Sequence, residues 1–270
     1  MNARSRVIGV DFSGARDAGN KIWIAEAIVT ANGIEIESCQ RARDLPGGAV
    51  DRESALRALV EHIAGQTDAL AGFDFPFSLP ATLIYDRSWE EFVFAFAQRY
   101  ATPETFRDDC TDRGDGRELK RRTDVDARVP FSAYNLRLYR QTYWGIRDVL
   151  HPLIVNDAAW VIPMQRPRAG ASVIAEICPA STLKREGLYG SYKGRDHKFR
   201  MAREFIVEQL IERRALRKPG RSVLSKLLDD TGGDALDAVI AAIGAARVAA
   251  DPGIMRPRDN LDRIEARVYF

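Results

Sequence analysis

Two short apolar segments of this chain each run into an aspartate, and this pattern constrains the fold more than any other. RVIGVD ends at Asp11, and DALAGFDFPF carries Asp74 just before Pro76. Short apolar runs bounded by turn residues are typical of buried strands, and proline ends pairing in a central strand. Because ligands of α/β sheets bind at the carboxyl ends of parallel strands, we expect Asp11 and Asp74 to meet at one edge of a sheet.

The segments between and after these two predict an α/β fold. KIWIAEAIVT and IEIESC are separated by Asn32-Gly33, which is typical of a hairpin, so the chain should begin with a three-stranded antiparallel meander. A helix with Asp51 as its N-cap should follow. SVIAEIC predicts a further strand that contains Glu176 near its end. Helices are predicted over residues 198–213, 223–228 and 234–249, and RIEARVYF is a candidate closing strand.

Residues 78–171 interrupt this pattern with aromatic and densely charged sequence. Trp89, Phe92, Phe96 and Tyr100 are spaced by three and four residues, which predicts that they form the core of a helical unit. We therefore predict one α/β domain made of residues 1–77 and 172–270. Residues 78–171 should form a mostly helical insertion or cap beside it.

Composition excludes several classes of protein. Among the 270 residues, 46% are hydrophobic and 29% are charged, which is typical of a folded globular chain. No apolar run approaches the ~20 residues of a membrane-spanning helix, and the N-terminus lacks a signal-peptide pattern. We therefore expect a cytoplasmic protein with no membrane partner. The oligomeric state is open.

The few cysteines and histidines exclude other kinds of site. Three cysteines, widely spaced, allow no disulfide framework, and three scattered histidines do not suggest a zinc site. The net charge of +2 neither requires nor excludes a nucleic-acid partner. The chemistry of this chain should therefore rest on its carboxylates.

Two further acids, Asp234 and Asp237, share one face at the start of the last long helix. A helix packed across the sheet can bring them to Asp11 and Asp74, the other expected catalytic residues. Clustered carboxylates are stable together when a cation neutralises them or when some are protonated. Mg²⁺ and Mn²⁺ favour oxygen ligands. The pattern therefore predicts a metal site formed by Asp11, Asp74, Glu176 and Asp237.

Each acid also has an ordinary structural role open to it. An aspartate at the end of a strand often forms a turn, and Asp234, which follows two glycines, is a candidate N-cap. Glu176 is a candidate salt-bridge partner of Lys184 or Arg185. Asp74 lies between two phenylalanines, so it should be partly buried, and a buried charge requires a partner. The combination of acids carries the prediction.

Six segments of the chain, in order, resemble domain-of-unknown-function family 429: GVDFSGA, GFDFPFSLP, RRTD, AEICPAS, YKGRDHKFR and GDALDAVIAAIGA. The resemblance covers residues 7–270. That family is described as predicted nucleases with a ribonuclease H-like fold. The resemblance implies a mixed five-stranded sheet in the order 3-2-1-4-5, with strand 2 antiparallel and helices on both faces.

The chain is similar more broadly to Holliday-junction resolvases of that fold. These enzymes carry one acid on strand 1, one on strand 4 and a pair on the last helix. The similarity places those acids at Asp11, Asp74, Asp234 and Asp237, while Glu176 lies in the Glu-x-x-Pro element of family 429.

The first functional hypothesis is a divalent-metal-dependent nuclease or phosphodiesterase that acts on nucleic acid. A water molecule activated by Mg²⁺ or Mn²⁺ would attack phosphorus, with Asp11 as a bridging ligand. Arg121, Arg122, Lys193 and Lys198 are the candidate phosphate-binding residues. DNA or RNA, endo- or exonucleolytic action, and a polymer or a small phosphorylated metabolite as substrate are all open.

Two other functions are open. DFSGA loosely resembles the first phosphate loop of nucleotide-dependent phosphotransferases and ATPases of actin-like topology. Those proteins carry two copies of the fold, however, and the chain has no GxxxxGK[ST] motif. The other alternative is a non-catalytic nucleic-acid-binding module, in which Tyr134, Tyr139 and Tyr143 stack on bases among neighbouring arginines.

Overall fold

The computed structural model describes residues 5–166 and 170–270, so residues 1–4 and 167–169 of the predicted domain ranges lie outside it. The described residues form a mixed α/β structure with one seven-stranded sheet and hydrophobic cores on both of its faces. The strands are β1 (Arg6–Asp11), β2 (Trp23–Thr30), β3 (Gly33–Arg41), β4 (Ala69–Phe73), β5 (Ala159–Val161), β6 (Ser172–Ile177) and β7 (Val268–Tyr269).

Helices cover both faces of this sheet. They are α1 (Ala18–Lys21), α2 (Arg52–Ala64), α3 (Trp89–Arg99), α4 (Pro103–Arg113), α5 (Arg122–Asp126), α6 (Tyr139–Gly145), α7 (His151–Val155), α8 (Pro179–Arg185), α9 (His197–Glu212), α10 (Arg221–Asp229), α11 (Asp234–Ala250) and α12 (Asn260–Glu265). A π-helical turn, Ile146–Leu150, joins α6 to α7. Within residues 5–166 and 170–270, no helix has both the length and the apolar character needed to cross a membrane.

The strands follow the order β3-β2-β1-β4-β6-β5, and β7 pairs with β6 on its own. The predicted meander is confirmed, because β2 is antiparallel to both β1 and β3. The strands β1, β4 and β6 are parallel to one another. Two strands more than the five implied by the resemblance are present, β5 and β7. The candidate closing strand contains β7, whereas β5 has only three residues and is too short to give a periodic sequence pattern.

Local sequence signals account for several element boundaries. The Asp51 side chain accepts a hydrogen bond from the Ser54 N–H at 2.9 Å, which confirms it as the N-cap of α2. Gly33 has φ +97°, a conformation that favours glycine, where the predicted hairpin enters β3. The closing segment is a strand only at β7, because its first part belongs to α12.

Residues 78–171 contain α3 to α7 together with β5. Trp89, Phe92, Phe96 and Tyr100 are buried, as predicted. They share one hydrophobic cluster with residues of α2 and β4, so this segment and the sheet have a continuous core. Through β5 the segment also contributes a strand to the sheet.

Two glycines allow α11 to lie directly on the sheet. A Cβ atom at Gly9 of β1 would overlap the carbonyl oxygen of Ala238 and the backbone nitrogen of Ala242, and one at Gly72 of β4 would lie 3.0 Å from the carbonyl oxygen of Ala241. Only glycine permits this distance between helix and strand. The close approach brings the N-terminal turn of α11 to the ends of β1 and β4.

Candidate carboxylate site at the sheet edge

Asp11 and Asp74 lie at the carboxyl ends of neighbouring parallel strands. Val10 of β1 pairs with Phe73 of β4, and the backbone N–H of Asp74 donates to the carbonyl of Val10 at 3.0 Å. The two aspartates follow this last pair directly. The sheet register therefore brings together the two residues that the sequence pattern placed at one edge.

The phenylalanines around Asp74 fix its direction. Phe73, Phe75 and Phe77 are all buried in the same hydrophobic cluster, and the rings of Phe75 and Phe77 have centroids 4.9 Å apart. The charge of Asp237 on α11, which packs on the other face of the sheet, acts on Asp74. The Asp74 side chain is therefore on the α11 side, where it is only partly buried.

The N-terminal turn of α11 supplies two further acids, Asp234 and Asp237. Its capping group is Asp230, whose Oδ2 accepts hydrogen bonds from the backbone N–H groups of Asp234 at 2.7 Å and Ala235 at 3.1 Å. Because Asp230 satisfies these donors, Asp234 is not the N-cap. We refer to Asp11, Asp74, Asp234 and Asp237 as the acid tetrad.

Both oxygens of Asp237 have donors from the segment just before α9. The Lys193 ammonium lies 2.6 Å from Oδ2, and the Tyr192 hydroxyl donates to Oδ1 at 2.5 Å. Lys193 also lies 3.6 Å from Asp234. About half of its side chain is exposed, so Lys193 sits at the mouth of the acid tetrad and neutralises part of its charge.

Burial and mutual repulsion raise the proton affinity of the tetrad. Burial raises the pKa of Asp74 to about 8, with a further rise from the charge of Asp237. The pKa of Asp11 is raised well above its usual value, again by burial first and then by Asp237 and Asp234. Lys193 opposes both shifts. The charges of Asp234 and Asp237 thus act on both strand-end aspartates, which places the four acids in one electrostatic neighbourhood.

Asp11 and Asp74 differ from the two α11 acids, which both pair with Lys193. Among the described residues, no group donates a hydrogen bond to either carboxylate or forms a salt bridge with it, although the Asp11 residue is only 7% exposed. Carboxylate oxygens are the ligands that Mg²⁺ and Mn²⁺ prefer. In donor chemistry these two residues fit a hard divalent cation.

The side-chain arrangement does not supply a third ligand beside them. Among the described histidine, cysteine, aspartate and glutamate side chains, no group of three is arranged to hold a metal ion. Both oxygens of Asp237 are already engaged, one by the Tyr192 hydroxyl and one by the Lys193 ammonium. A metal ion that used Asp237 would have to compete with the Lys193 ammonium.

Glu176, predicted as a further metal ligand, lies near enough to Asp74 for its charge to raise the pKa of Asp74, but it is ion-paired with Arg121. Arg121 donates to both oxygens of Glu176, at 2.8 and 2.5 Å, and to Asp124 at 2.7 Å. The backbone N–H of Phe77 donates to Glu176 Oε2 at 2.9 Å. The metal-ligand prediction for Glu176 does not fit this placement, because both of its oxygens already accept hydrogen bonds.

Arg121 and Arg122 were predicted to bind phosphate, and both are engaged elsewhere. The Arg121 side chain is 1% exposed and is held by two carboxylates, so no phosphate reaches it in this structure. Arg122 forms ion pairs with Asp259 and Asp262, both at 2.6 Å. The expected ion-pair partner of Glu176 was Lys184 or Arg185, but its partner is Arg121. Arg121 precedes α5, so this ion pair connects the start of α5 to β6, and Arg121 also donates to the carbonyl of Glu265.

The two predicted lysines differ in surroundings. Lys193 belongs to the acid tetrad, as described above. Lys198, at the second position of α9, is exposed and lies 4.9 Å from the centroid of the Phe199 ring, with no ion pair to a described residue. Geometry therefore connects Lys193, and not Lys198, to the acids.

A small cavity of about 150 Å³ opens beside Asp74. Its walls include Phe75, Phe131, Gln141 and Cys178. The Gln141 side chain donates to the backbone carbonyl of Asp74 at 2.5 Å and so ties α6 to the site. Burial raises the pKa of the Cys178 thiol to about 12, so this cysteine is a neutral wall residue at physiological pH.

Sequence reasoning missed two residues that shape the tetrad. Tyr192 holds one oxygen of Asp237, and Asp230 caps α11. Asp230 lies four residues before Asp234, which is a recognisable capping distance in retrospect. Tyr192 is 45 residues from Asp237 in the chain, and no local pattern connects them.

Comparisons of the chain with protein-family models, with curated proteins and with solved structures find no match.

Proposed function

We propose that this chain is a divalent-metal-dependent phosphodiesterase of ribonuclease H-like architecture that hydrolyses nucleic acid at the acid tetrad. One observation carries the proposal. Asp11 and Asp74 end adjacent parallel strands, are buried or partly buried without hydrogen-bond donors, and have strongly raised pKa values. Such a pair is stable as two carboxylates only with a cation between or beside them.

The architecture supports this reading. The path β3-β2-β1-β4-β6, with β2 antiparallel, agrees with the order implied by the resemblance to family 429. The helix α11 crosses β1 and β4 through contacts at Gly9 and Gly72 and delivers two acids to the same edge. In a ribonuclease H-like site the acids come from these same positions.

Each tetrad residue then has a role that follows from its surroundings. Asp11 and Asp74 would hold the divalent ion through their free oxygens. When bound, such an ion polarises the phosphoryl oxygen and lowers the pKa of a coordinated water. Asp234 is 29% exposed and is the most accessible of the α11 acids, so it is positioned to accept a hydrogen bond from an incoming water.

Lys193 has two tasks in this proposal. It keeps the free protein stable by neutralising Asp237 and Asp234. Its exposed ammonium also lies where a phosphate would approach the acids, so it would contact a non-bridging oxygen once Asp237 has another partner. Lysine suits this role, because its flexible stem lets the charge move.

Hydrolysis of labelled oligonucleotides tests the proposal. Single-stranded and duplex DNA and RNA are incubated with the protein and Mn²⁺, and the products are resolved by length. We expect cleavage of at least one substrate. The variants Asp11→Asn and Asp74→Asn should lose at least about 100-fold in rate, because even residues that only orient a metal ligand contribute roughly 10–100-fold.

Asp17→Asn is the matched control, because Asp17 lies in the loop after β1 and its side chain makes no capping hydrogen bond. It should cleave at the wild-type rate. ATP hydrolysis measured in parallel tests the phosphotransferase alternative. No cleavage of any nucleic acid, together with ATP hydrolysis that depends on Asp11, would overturn the proposal in favour of that alternative.

A further inference from the structure

A second polar groove lies outside the acid tetrad, between α2 and the helix formed by α6 and α7. Its volume is about 650 Å³, and its walls include Arg52, Arg57, Trp144, Arg147 and Asp148. We call it the Trp144 groove. The roles proposed above involve none of these residues.

Arg52 is oriented in this groove without a carboxylate partner. Its guanidinium lies 3.7 Å from the centroid of the Trp144 ring. It donates one hydrogen bond, from Nη1 to the carbonyl of Gly14 at 3.2 Å, and forms no salt bridge within the described residues. Stacking on an indole fixes the guanidinium plane and leaves its remaining in-plane N–H groups free, an arrangement that suits bidentate recognition of a phosphate.

Positive charge around Arg52 exceeds negative charge. Burial lowers the pKa of Arg52, Asp148 opposes this, and Arg16, Arg147 and Arg140 lower it further. Three positively charged arginines therefore repel the Arg52 guanidinium, whereas one carboxylate, that of Asp148, attracts it. Arg57 and Arg147 pair only loosely with the groove acids, at 4.0 Å to Glu53 and 3.5 Å to Asp148. The groove retains excess cationic charge that its own acids do not neutralise.

The groups that the groove offers to a ligand are donors. Arg52, Arg57 and Arg147 line it, and a guanidinium group donates hydrogen bonds but accepts none. The complementary ligand is therefore an anionic acceptor. Trp144 contributes its ring face, on which Arg52 stacks, because its indole N–H is buried.

The Trp144 groove lies close to the acid tetrad through two connections. Gly14, whose carbonyl accepts from Arg52, is three residues after Asp11. Gln141, which donates to the backbone carbonyl of Asp74, lies one helical turn before Trp144 on α6. One turn of α-helix spans about 5.4 Å. Both connections use backbone that follows β1 and β4 directly, so the groove is joined to the edge of the sheet at which Asp11 and Asp74 lie.

We propose that the Trp144 groove binds phosphate groups of the ligand that reaches the acid tetrad, through Arg52, Arg57 and Arg147. This inference rests on the proposed function for the nature of the ligand. It concerns binding, which requires neither the metal ion nor hydrolysis. The phosphate group belongs either to a nucleic-acid strand or to a small nucleotide. The competition measurement below distinguishes these two ligands.

Fluorescence anisotropy of a labelled single-stranded 15-nucleotide DNA, measured in EDTA, tests the proposal. Arg57→Ala and Arg147→Ala should each weaken binding at least about threefold and lower the slope of log affinity against log salt by about 0.7 per lost contact. Trp144→Phe should weaken binding while it keeps the aromatic packing. Circular dichroism and thermal melts check that each variant is folded.

Arg221→Ala is the matched control, because Arg221 is exposed at the start of α10, on the opposite face of the sheet. It removes the same charge and should bind like the wild type. Competition by mononucleotide and by inorganic phosphate separates the sources. Displacement of the DNA by millimolar mononucleotide supports a small ligand, and resistance to it supports a strand.

The proposal is overturned if neither DNA nor mononucleotide binds, or if the groove variants and Arg221→Ala weaken binding equally. Its failure is distinguishable from failure of the proposed function. Groove binding in EDTA without any Mn²⁺-dependent cleavage counts against the hydrolytic function alone. Cleavage that is unaffected by Arg57→Ala and Arg147→Ala, with unchanged binding, counts against the groove alone.

Discussion

Lys193 donates from Nζ to Oδ2 of Asp237 over 2.6 Å, while the Tyr192 hydroxyl holds the other oxygen of the same carboxylate at 2.5 Å. The acid tetrad therefore contains a cation that belongs to the chain itself. Attraction to Asp237 and Asp11 outweighs the effect of burial and raises the pKa of Lys193, so it stays charged throughout the physiological range. A divalent ion and Lys193 compete for Asp237.

This competition predicts the effect of Lys193→Met. Without the ammonium, Asp237 and Asp234 lose their neutralising partner, and the metal-free protein should lose about 1 kcal/mol of stability, a modest value because the lysine is half exposed. Mn²⁺ should then stabilise the variant more than it stabilises the wild type. Thermal melts with and without Mn²⁺ measure both effects.

Lys198→Met serves as the control, because Lys198 is exposed and forms no ion pair with an acid of residues 5–166 or 170–270. It should change neither the metal-free melt nor the shift with Mn²⁺. Equal responses of the two lysine variants would contradict the role assigned to Lys193.

Raised pKa values make the stability of the metal-free protein depend on pH. A carboxyl whose pKa rises from 3.8 to about 8 on folding, as that of Asp74 does, stabilises the fold most below pH 3.8 and loses this contribution as pH rises through 8. The loss is at most about 1.4 kcal/mol per pH unit. Asp74→Asn should remove this decline, so its advantage over the wild type should grow from pH 5 to pH 8.

Urea unfolding in EDTA at several pH values measures this difference. Asp17→Asn should follow the wild-type curve, since Asp17 lies outside the tetrad. If Asp74→Asn and the wild type declined in parallel between pH 5 and pH 8, Asp74 would not be the buried carboxyl described here.

The Arg121 network predicts a large and purely structural effect. Arg121→Met leaves Glu176 and Asp124 buried without their common partner, and removal of one member of a buried ion pair costs about 3–5 kcal/mol. Arg87→Ala removes an exposed pair with Glu91 and should cost under about 1 kcal/mol. Urea unfolding compares them. If Arg121→Met were as stable as the wild type and had lost only its affinity for phosphate, the result would support the prediction that Arg121 binds phosphate.

Close packing of α11 on β1 predicts that Gly9 cannot be replaced. The Cβ of Gly9→Ala would overlap the backbone at Ala238 and Ala242, which must move apart at a cost of about 3 kcal/mol or more. The displacement should also weaken Mn²⁺ binding, because α11 carries Asp234 and Asp237. Gly190→Ala meets no atom within 4 Å and should leave the melting temperature unchanged.

The parts of the site that sequence could predict are those set by local periodicity. Asp11 and Asp74 are each tied to an apolar strand pattern, and Asp234 and Asp237 to one helix face, so their convergence follows from the order of elements. The start of α2 follows from its capping residue Asp51, and the extent of α11 follows from its periodic apolar residues, although its capping residue Asp230 was missed.

The parts that sequence could not predict depend on contacts between distant segments. Arg121 and Glu176 are 55 residues apart, so the nearby Lys184 and Arg185 were the expected partners. Tyr134, Tyr139 and Tyr143 were candidates for base stacking, but all three are buried in the core and none offers a free ring face. Composition does not reveal which face of a helix is covered.

Trp144 is a residue that the sequence pattern did not indicate, although it lines a candidate binding groove. The sequence pattern indicates its neighbours Tyr143 and Arg147 as candidates for nucleic-acid binding. It is Trp144, however, whose ring contacts Arg52, 92 positions earlier in the chain. Only the packing of α2 against the π-helical turn and α7 brings the two together. The Trp144 groove therefore emerges from tertiary structure alone.

Direct Mn²⁺ binding tests the carboxylate site most sharply. The electron paramagnetic resonance signal of free Mn²⁺ is titrated against the wild type, Asp11→Asn, Asp74→Asn and Asp17→Asn. We predict that the wild type and Asp17→Asn bind, and that Asp11→Asn and Asp74→Asn bind at least about tenfold more weakly. At a hundredfold excess over the dissociation constant, Mn²⁺ should stabilise the wild type by about 2.7 kcal/mol. Absence of wild-type binding at millimolar Mn²⁺, or equal binding by all four proteins, would contradict a metal site at Asp11 and Asp74.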